Sequence, residues 1–391
     1  MKLVKLIGKV GLSVSPLVGL ALLAMTLSPK DSTYPFDVKN FGAVCDGKTD
    51  DTGAIEKTYA AAAAAMATQG GAGVVYFPPS SGYCVASSLK IPSMDYSHGW
   101  LVSLFDNGLY ANTIHPGNWN AFIGRTSNFA GLGGSFVWAP NAEWQQPKGA
   151  SGPLVDVAGI EPLYFEGINM ASQSSTDPAV KVHNSPRGEG TVFLTFKRCV
   201  IGSYSQYAMD VLGAFTLNIS ETSTGRIKLA MGATTIRDSF VHSIYMYNPG
   251  SSTEGNLEVE NVLSENLNNE DFLTVDTTGG PVSDITIRRI GLADRIGKAY
   301  VLKHINHTST NWVVNADIEM IPDGNFGDGM IDPTSAPDLI SLHCVGQGCQ
   351  YVLSQAKAAL YDFMGYAPKG GLTIYGSQYL NPPFNVIQRT R

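Results

Sequence analysis

Phe41-Gly42-Ala43-Val44-Cys45-Asp46-Gly47-Lys48-Thr49-Asp50-Asp51-Thr52 is the stretch from which the rest of the chain can be read. Gly42 and Gly47 relieve tight backbone positions. Asp50 or Asp51 can cap a helix, because orphan amides and the helix dipole favour an acidic oxygen at an N-terminus. From Ala54 to Thr68 the residues Ile55, Tyr59, Ala62, Ala63 and Met66 recur at helical spacing and make one apolar stripe. Gly70-Gly71-Ala72-Gly73 ends that helix. Val74-Val75-Tyr76-Phe77 then reads as a buried strand, followed by Pro78-Pro79 and Tyr83-Cys84-Val85.

The matching residues are Asp37-Val38, Phe41-Gly42-Ala43, Asp46-Gly47, Thr49 to Thr52, Val75-Tyr76-Phe77-Pro78 and Gly82-Tyr83. Together they resemble the opening of the pectate-lyase superfamily, in the branch of rhamnogalacturonase-like hydrolases, epimerase-like proteins and phage tail-spike depolymerases. The resemblance implies an all-β fold, a right-handed single-stranded parallel β-helix whose N-terminal end this helix-containing segment caps. It also implies that Asp50 and Asp51 are structural. It further implies a carbohydrate-active protein that cleaves or epimerises an extracellular polysaccharide, as lyase or glycoside hydrolase. A non-catalytic glycan-binding or adhesive solenoid is the alternative, since fold does not determine function.

Composition agrees with a turn-rich β-solenoid: 15% charged residues, 42 glycines and 21 prolines in 391 residues. The net charge of −7 argues against a nucleic-acid partner, which needs clustered Lys and Arg. Residues 1–28 read as a signal peptide or N-terminal anchor. Lys2, Lys5 and Lys9 precede the mostly apolar Val10 to Leu27, so the body is expected outside the cytoplasm, secreted or periplasmic. The only membrane contact expected is through such an anchor. Among the cysteines, Cys45 and Cys84 flank the cap helix and are expected to pair. Cys344 and Cys349 close a short glycine-containing loop and are a second candidate pair. No zinc spacing occurs, and His304 with His307 does not make a metal site.

The expected layout is a cap and first strands over 34–92, aromatic-rich loops and early rungs over 93–150, rungs over 151–321, and a C-terminal cap over 322–391. Segments centred on Phe165, Phe196, Ile236, Val259, Ile287 and Val314 align as successive rungs, with long loops over 171–191 and 203–233. Alternation turns those six inward and stacks Leu163, Leu194, Leu257 and Ile285 beside them. Ile168, Cys199, Val262 and Ile290 form a third stack, with Cys199 a buried free thiol. Glu166, Lys197, Arg237, Glu260 and Arg288 fall in an outward charged ladder.

Sugar-bond hydrolysis wants two carboxyls across the bond. Lyase or epimerase chemistry on a uronate wants a base for the C5 proton and a cation for the sugar carboxylate: Arg, Lys or Ca²⁺. No cofactor signature is present, and Ca²⁺ enters only if the chain is a lyase. Of the pectin-hydrolase motifs, only Arg226-Ile227-Lys228 occurs, so those catalytic residues do not carry over. The candidate catalytic residues are His242, Glu265 and Asp294, just past the strands of three consecutive rungs, with Asp271 in a nearby turn. Asn266, Arg295, Trp119 and Trp144 are the candidate substrate-binding residues, the tryptophans because aromatic faces stack on sugar rings. Glu258 and Glu260 share one strand face and are expected to be engaged by Arg237 and Arg288.

Overall fold

The computed structural model describes residues 34–69, 73–78, 84–86, 89–91, 100–105, 121–124, 127–146, 151–184, 193–230, 232–250, 256–265, 270–280, 282–293, 302–305, 313–322, 339–344 and 371–375. Every strand pairing is parallel, and the strands coil into a right-handed β-helix with three faces.

The first face starts with Phe36–Asp37 and Gly73–Phe77 and continues through Leu194–Lys197 and Thr216–Ser220 to Gly371–Tyr375. Long strands bend at the corners and serve more than one face, as Ala233–Tyr247 serves all three. The second face includes Val200–Ser203, the start of Ser223–Ala230 and the end of Leu257–Glu265. The third runs through Val180–His183, Met209–Val211, the end of Ser223–Ala230, Leu273–Asp276 and Leu302–Ile305.

Alternation explains the core. Phe165, Phe196, Ile219, Ile236, Val259 and Ile287 pair in register and are all buried. Leu163, Leu194, Leu217, Thr234, Leu257 and Ile285 form the neighbouring stack. Sequence expectations about both loops and the last rung need correction: the span 171–191 is not one loop, because Val180–His183 forms a third-face strand within it. The span 203–233 is not one loop, because Thr216–Ser220 adds a coil between Phe196 and Ile236. Thr216-Leu217-Asn218-Ile219 alternates as the other rungs do, but Ile219 lies only 17 residues before Ile236, a shorter coil than the spacing of the other rungs suggests. The last rung is also displaced: Ile287 pairs with Ile318, while Val314 pairs with Ser283. Val314, Ala316, Ile318 and Met320 alternate with Asn315, Asp317 and Glu319, and a shift by an even number of residues keeps that alternation, so it did not define the register.

Between the first and second faces the chain turns through one left-handed residue per coil. Gly167 has φ 77°, and Arg198, Glu221, Asp238, Asn261 and Arg289 lie between 49° and 53°. Asn261 Nδ2 donates to Asp238 Oδ1 at 2.6 Å, linking adjacent corners. Beside this corner run the outward charges. Arg198 pairs with Glu166, and Arg237 pairs with Glu258 at 2.8 Å and with Glu260 at 3.6 Å. Both glutamates of that strand face are thus engaged. Cys199 is a buried free thiol, and burial pushes it up to about 11.

The helix Thr52–Gln69 closes the N-terminal end of the core with Ile55, Tyr59, Ala62 and Met66. It fits tightly, since a Cβ on Gly73 would lie 2.5 Å from Met66 Sδ. Tyr59 begins an aromatic spine, with its ring 6.4 Å from Phe77. Phe77 stacks on Phe105 at 4.0 Å, Trp144 meets Phe105 and Phe165 edge-on, and Phe165 stacks on Phe196 at 5.1 Å. Each such pair adds about 0.5–1.5 kcal/mol beyond its buried area. Trp144 is 2% exposed, which corrects its assignment to substrate binding: its indole is core, out of reach of any polymer. Phe105 and Trp144 instead fill the interior of the first coils, where bulky side chains are needed to pack the core.

Cys45 and Cys84 form a disulfide. It closes a segment with a sequence separation of 39, for which the loop-entropy relation gives about 3–4 kcal/mol. The double variant Cys45→Ser/Cys84→Ser is expected to lose that much in urea unfolding, and reduction of the wild type should reproduce the loss. Equal midpoints for the variant and the oxidised wild type would refute the expectation.

Candidate functional site

The outer surface of the third face carries the densest set of chemical side chains. In register order one outward column reads Asp156, Lys181, Asp210, Lys228, Tyr245, Thr274, Lys303. A second column, two residues further along each strand, includes His183, Tyr247 and Asp276. Their placement follows from alternation: Met209 and Val211 point in and put Asp210 out, and Ile244 and Met246 do the same for Tyr245.

Three tyrosines make a polar aromatic platform. Tyr207 lies in the turn before Met209–Val211, with its ring 6.2 Å from that of Tyr245, which is 6.2 Å from that of Tyr247. Lys228 Nζ sits 5.0 Å above the Tyr247 ring and 3.9 Å from Asp210 Oδ2. Tyr245 donates to Asp276 Oδ2 at 2.5 Å. Desolvation, then that hydrogen bond and the Asp276 charge, raise Tyr245 well above the ordinary phenol range. Desolvation, then the charge of Asp210, pushes Tyr247 up to about 12. Tyr207 is raised by desolvation and by Asp210, with Arg226 pulling the other way.

Arg226 joins this platform to the adjacent corner. It pairs with Glu270 and acts electrostatically on Tyr207 and on His242. His242 lies beside Glu265, because the register Phe240–Leu263 carries on into these residues and Ser264 Oγ donates to the His242 carbonyl at 2.8 Å. The imidazole packs edge-on to Phe240 at 5.3 Å. Desolvation and the charge of Arg226 hold His242 below its ordinary value, while Glu265 pulls upward. The neutral imidazole of His242 and the neutral phenol of Tyr207 therefore flank one guanidinium.

Of the residues expected from sequence, His242 and Glu265 are brought together, and Glu265 pairs in register with Ala293. Asp271 is held by Lys303 Nζ at 3.3 Å. Asp294, Arg295, Asn266, Trp119 and Cys349 lie outside the described residues, as do the side chain of Cys344 and residues 1–28. Arg226 and Lys228, set aside as a chance match, both lie on the site. Tyr207, Asp210, Tyr245, Tyr247 and Asp276 were missed. The signal for them was the alternation in Met209-Asp210-Val211, Ile227-Lys228-Leu229 and Ile244-Tyr245-Met246.

Among the described residues, the group with the spacing of metal ligands is Cys45, Asp51 and Cys84. Its sulfurs are joined and its carboxylate accepts backbone amides, so it does not suit Ca²⁺. No helix among the described residues is long and apolar enough to cross a membrane.

Residues 36–96 match the family described as "Rhamnogalacturonase A/epimerase, pectate lyase-like". No curated protein matches the chain. Among solved structures the chain is similar to a Yersinia enterocolitica family 28 exopolygalacturonase, at 11% identity and TM-score 0.48 over 79% of this chain and 70% of that one. It is similar to the A-module of the Azotobacter vinelandii mannuronan C-5 epimerase AlgE6, at 14% identity and TM-score 0.43 over 89% and 100%. It is also similar to PfbA, a surface adhesin of Streptococcus pneumoniae, at 14% identity and TM-score 0.40 over 78% and 86%. At such identities these likenesses carry nothing about activity. The chain thus carries a pectate lyase-like cap over residues 36–96, followed by a coil with the right-handed parallel β-helix fold.

Proposed function

We propose that the chain is a secreted carbohydrate-active enzyme that abstracts the C5 proton of a uronate in a polysaccharide. The observation that carries this reading is the opposed tuning of His242 and the tyrosine platform: desolvation and Arg226 hold His242 down, while desolvation holds Tyr207, beside the same guanidinium, and its neighbour Tyr245 up. Titratable groups pushed apart in this way supply a base and an acid from one site. Lys228 is assigned to the sugar carboxylate, assisted by Arg226 on the alternate residue of the same strand, whose five donors can serve a second carboxylate beside Glu270. Neutralising the sugar carboxylate makes the C5 proton acidic enough to leave.

In the reaction His242 takes the C5 proton. In elimination the electron pair of that bond forms the C4–C5 double bond, the C4–O bond breaks, and Tyr245 gives its proton to the departing oxygen. In epimerisation Tyr245 instead returns a proton to C5 from the opposite face. Hydrolysis has less support. Glu258 and Glu260 are tied by Arg237, and Glu270 and Asp271 by Arg226 and Lys303. The tyrosine platform favours a second reading, a surface that binds glycan without turnover.

The test is incubation with a panel of polyuronates in deuterium oxide. Elimination yields ultraviolet absorbance from the new conjugated double bond together with reducing ends. Epimerisation yields deuterium at C5 and inverted sugars by NMR. Reducing ends without the double bond would replace this proposal by hydrolysis. Binding with no deuterium and no cleavage would replace it by the adhesive reading.

A further inference from the structure

We propose that Asp210 is a specificity-determining residue that selects polysaccharides bearing a uronate on every second sugar and turns away homopolymers of uronate. This rests on the third face being the sugar-binding surface. The argument comes from the order of charge along one outward column. Asp156, Lys181, Asp210 and Lys228 are register partners on four consecutive coils, so sign alternates from coil to coil. Coils are about 4.8 Å apart, which puts the two lysines about 9.6 Å apart along the axis. That is close to the length of a disaccharide in an extended glycan.

A polymer lying along the axis over Lys228 and the tyrosines therefore meets its next cation, Lys181, one disaccharide away. Midway it meets Asp210. Lys228 and Asp210 are 31% and 29% exposed and 3.9 Å apart, near enough for Asp210 to orient Lys228 but with both reaching solvent. Lys181 is exposed. Asp156 is engaged by His183 Nε2 at 2.8 Å, and Lys181 lies within electrostatic reach of Asp177. A homopolymer would bring a carboxylate against Asp210, and like charges at close range repel. An alternating polymer presents a neutral sugar there, whose hydroxyls can donate to Asp210.

The experiment titrates the full chain with two oligosaccharide sets of equal length by calorimetry: unsulfated chondroitin, in which uronate alternates with a neutral sugar, and oligogalacturonate. The wild type is expected to bind the alternating set about tenfold more tightly, the size of a partly screened charge–charge clash. Asp210→Asn should bring the ratio close to one by strengthening oligogalacturonate. Lys181→Gln should weaken long alternating chains and leave disaccharides, which carry a single uronate, unchanged.

Equal strengthening of both sets by Asp210→Asn would overturn the proposal, since it would mean only that Lys228 had been released. So would a fall in Tm with an unchanged ratio, the mark of a ladder that merely holds the coils in register. These results leave the proton-abstraction reading standing, because they concern preference and not turnover. Wild-type binding to neither set overturns this inference and also counts against the third face as a uronate site.

Discussion

Asp51→Ala should destabilise the N-terminal cap by about 5 kcal/mol, because it orphans three backbone donors, one of them buried and two part-buried, that now share a buried carboxylate. The side chain is 1% exposed. Its Oδ1 accepts from the Val44 amide at 2.7 Å, both oxygens accept from Cys45 at 3.2–3.3 Å, and Oδ2 accepts from Val85 at 3.1 Å. The peptide of the same residue donates to the Val85 carbonyl at 2.6 Å and accepts from Ile55 at the start of the helix. One residue therefore ties together the disulfide loop, the first turn of the helix and the strand Cys84–Ala86. Acceptors that meet several amides in a dry site cannot be replaced by water without moving the backbone.

The comparison with Asp51→Asn sharpens this expectation. Asparagine keeps one oxygen for Val44 and Cys45 but turns an amide donor toward the Val85 donor. It should lose about half as much, since one of the three contacts becomes a donor facing a donor. Hydrogen exchange at the Val44, Cys45 and Val85 amides reads the effect locally, and urea unfolding reads it for the cap. An Asp51→Ala protein with wild-type protection at those amides would show that the carboxylate is not the clamp. Asp50 serves as the control. Its Oδ1 accepts from the Thr52 amide at 3.0 Å in an exposed setting, so Asp50→Ala should cost about 1 kcal/mol, the usual value of a helix cap.

This division between Asp50 and Asp51 shows what could be read from the residues alone. The Asp-Asp-Thr run announced a helix start, and either aspartate satisfies that rule locally. Only the fold brings Val85 across to Asp51, and no local rule contains that contact. The rungs behave the same way. Where a strand alternates strongly, as in Leu194-Thr195-Phe196 or Leu257-Glu258-Val259, the inward stack could be assigned directly. Where polar residues occupy inward positions, as Thr234 does, or one alternation runs on over many residues, as from Val314 to Met320, register depends on neighbouring coils.

The site was legible only in part, for a related reason. His242 and Glu265 follow first-face strands by similar offsets, so aligning those strands aligned them too. The third-face residues hang on strands such as Met209–Val211 and Leu273–Asp276, which are short and separated from the first-face strands by turns of unequal length. Aligning the first face leaves these unaligned. Trp144 failed in the opposite direction. An aromatic residue is equally suited to a sugar ring and to a core, and only the packing with Phe105 and Phe165 decides between them.

His242→Ala and Tyr245→Phe should each lower kcat about 10²- to 10⁴-fold, the range for losing a positioned base or acid, with little change in KM. The sign of the pH dependence follows from the tuning. His242 works deprotonated, and its pKa lies below the ordinary imidazole value of about 6.5. The rate should therefore rise with pH through a midpoint below that value and be complete by neutrality. Tyr245 works protonated, and its pKa is raised above the ordinary phenol value of about 10. The rate should not fall until the solution is more alkaline than that.

Each variant should remove one limb of this profile: His242→Ala the acidic one, Tyr245→Phe the alkaline one. Asp276→Asn adds a third check. It keeps a hydrogen-bond acceptor for Tyr245 but removes the negative charge, so the alkaline limb should move to lower pH while the acidic limb stays. Lys228→Ala and Arg226→Ala should differ from all of these by raising KM, since a cation that holds the sugar carboxylate acts in binding as well as in the transition state. Circular dichroism and an unchanged unfolding midpoint establish that each variant is folded, which these half-exposed positions should permit. An acidic limb that survives in His242→Ala would remove His242 from the chemistry. Wild-type turnover in both His242→Ala and Tyr245→Phe would move the reaction off this face altogether.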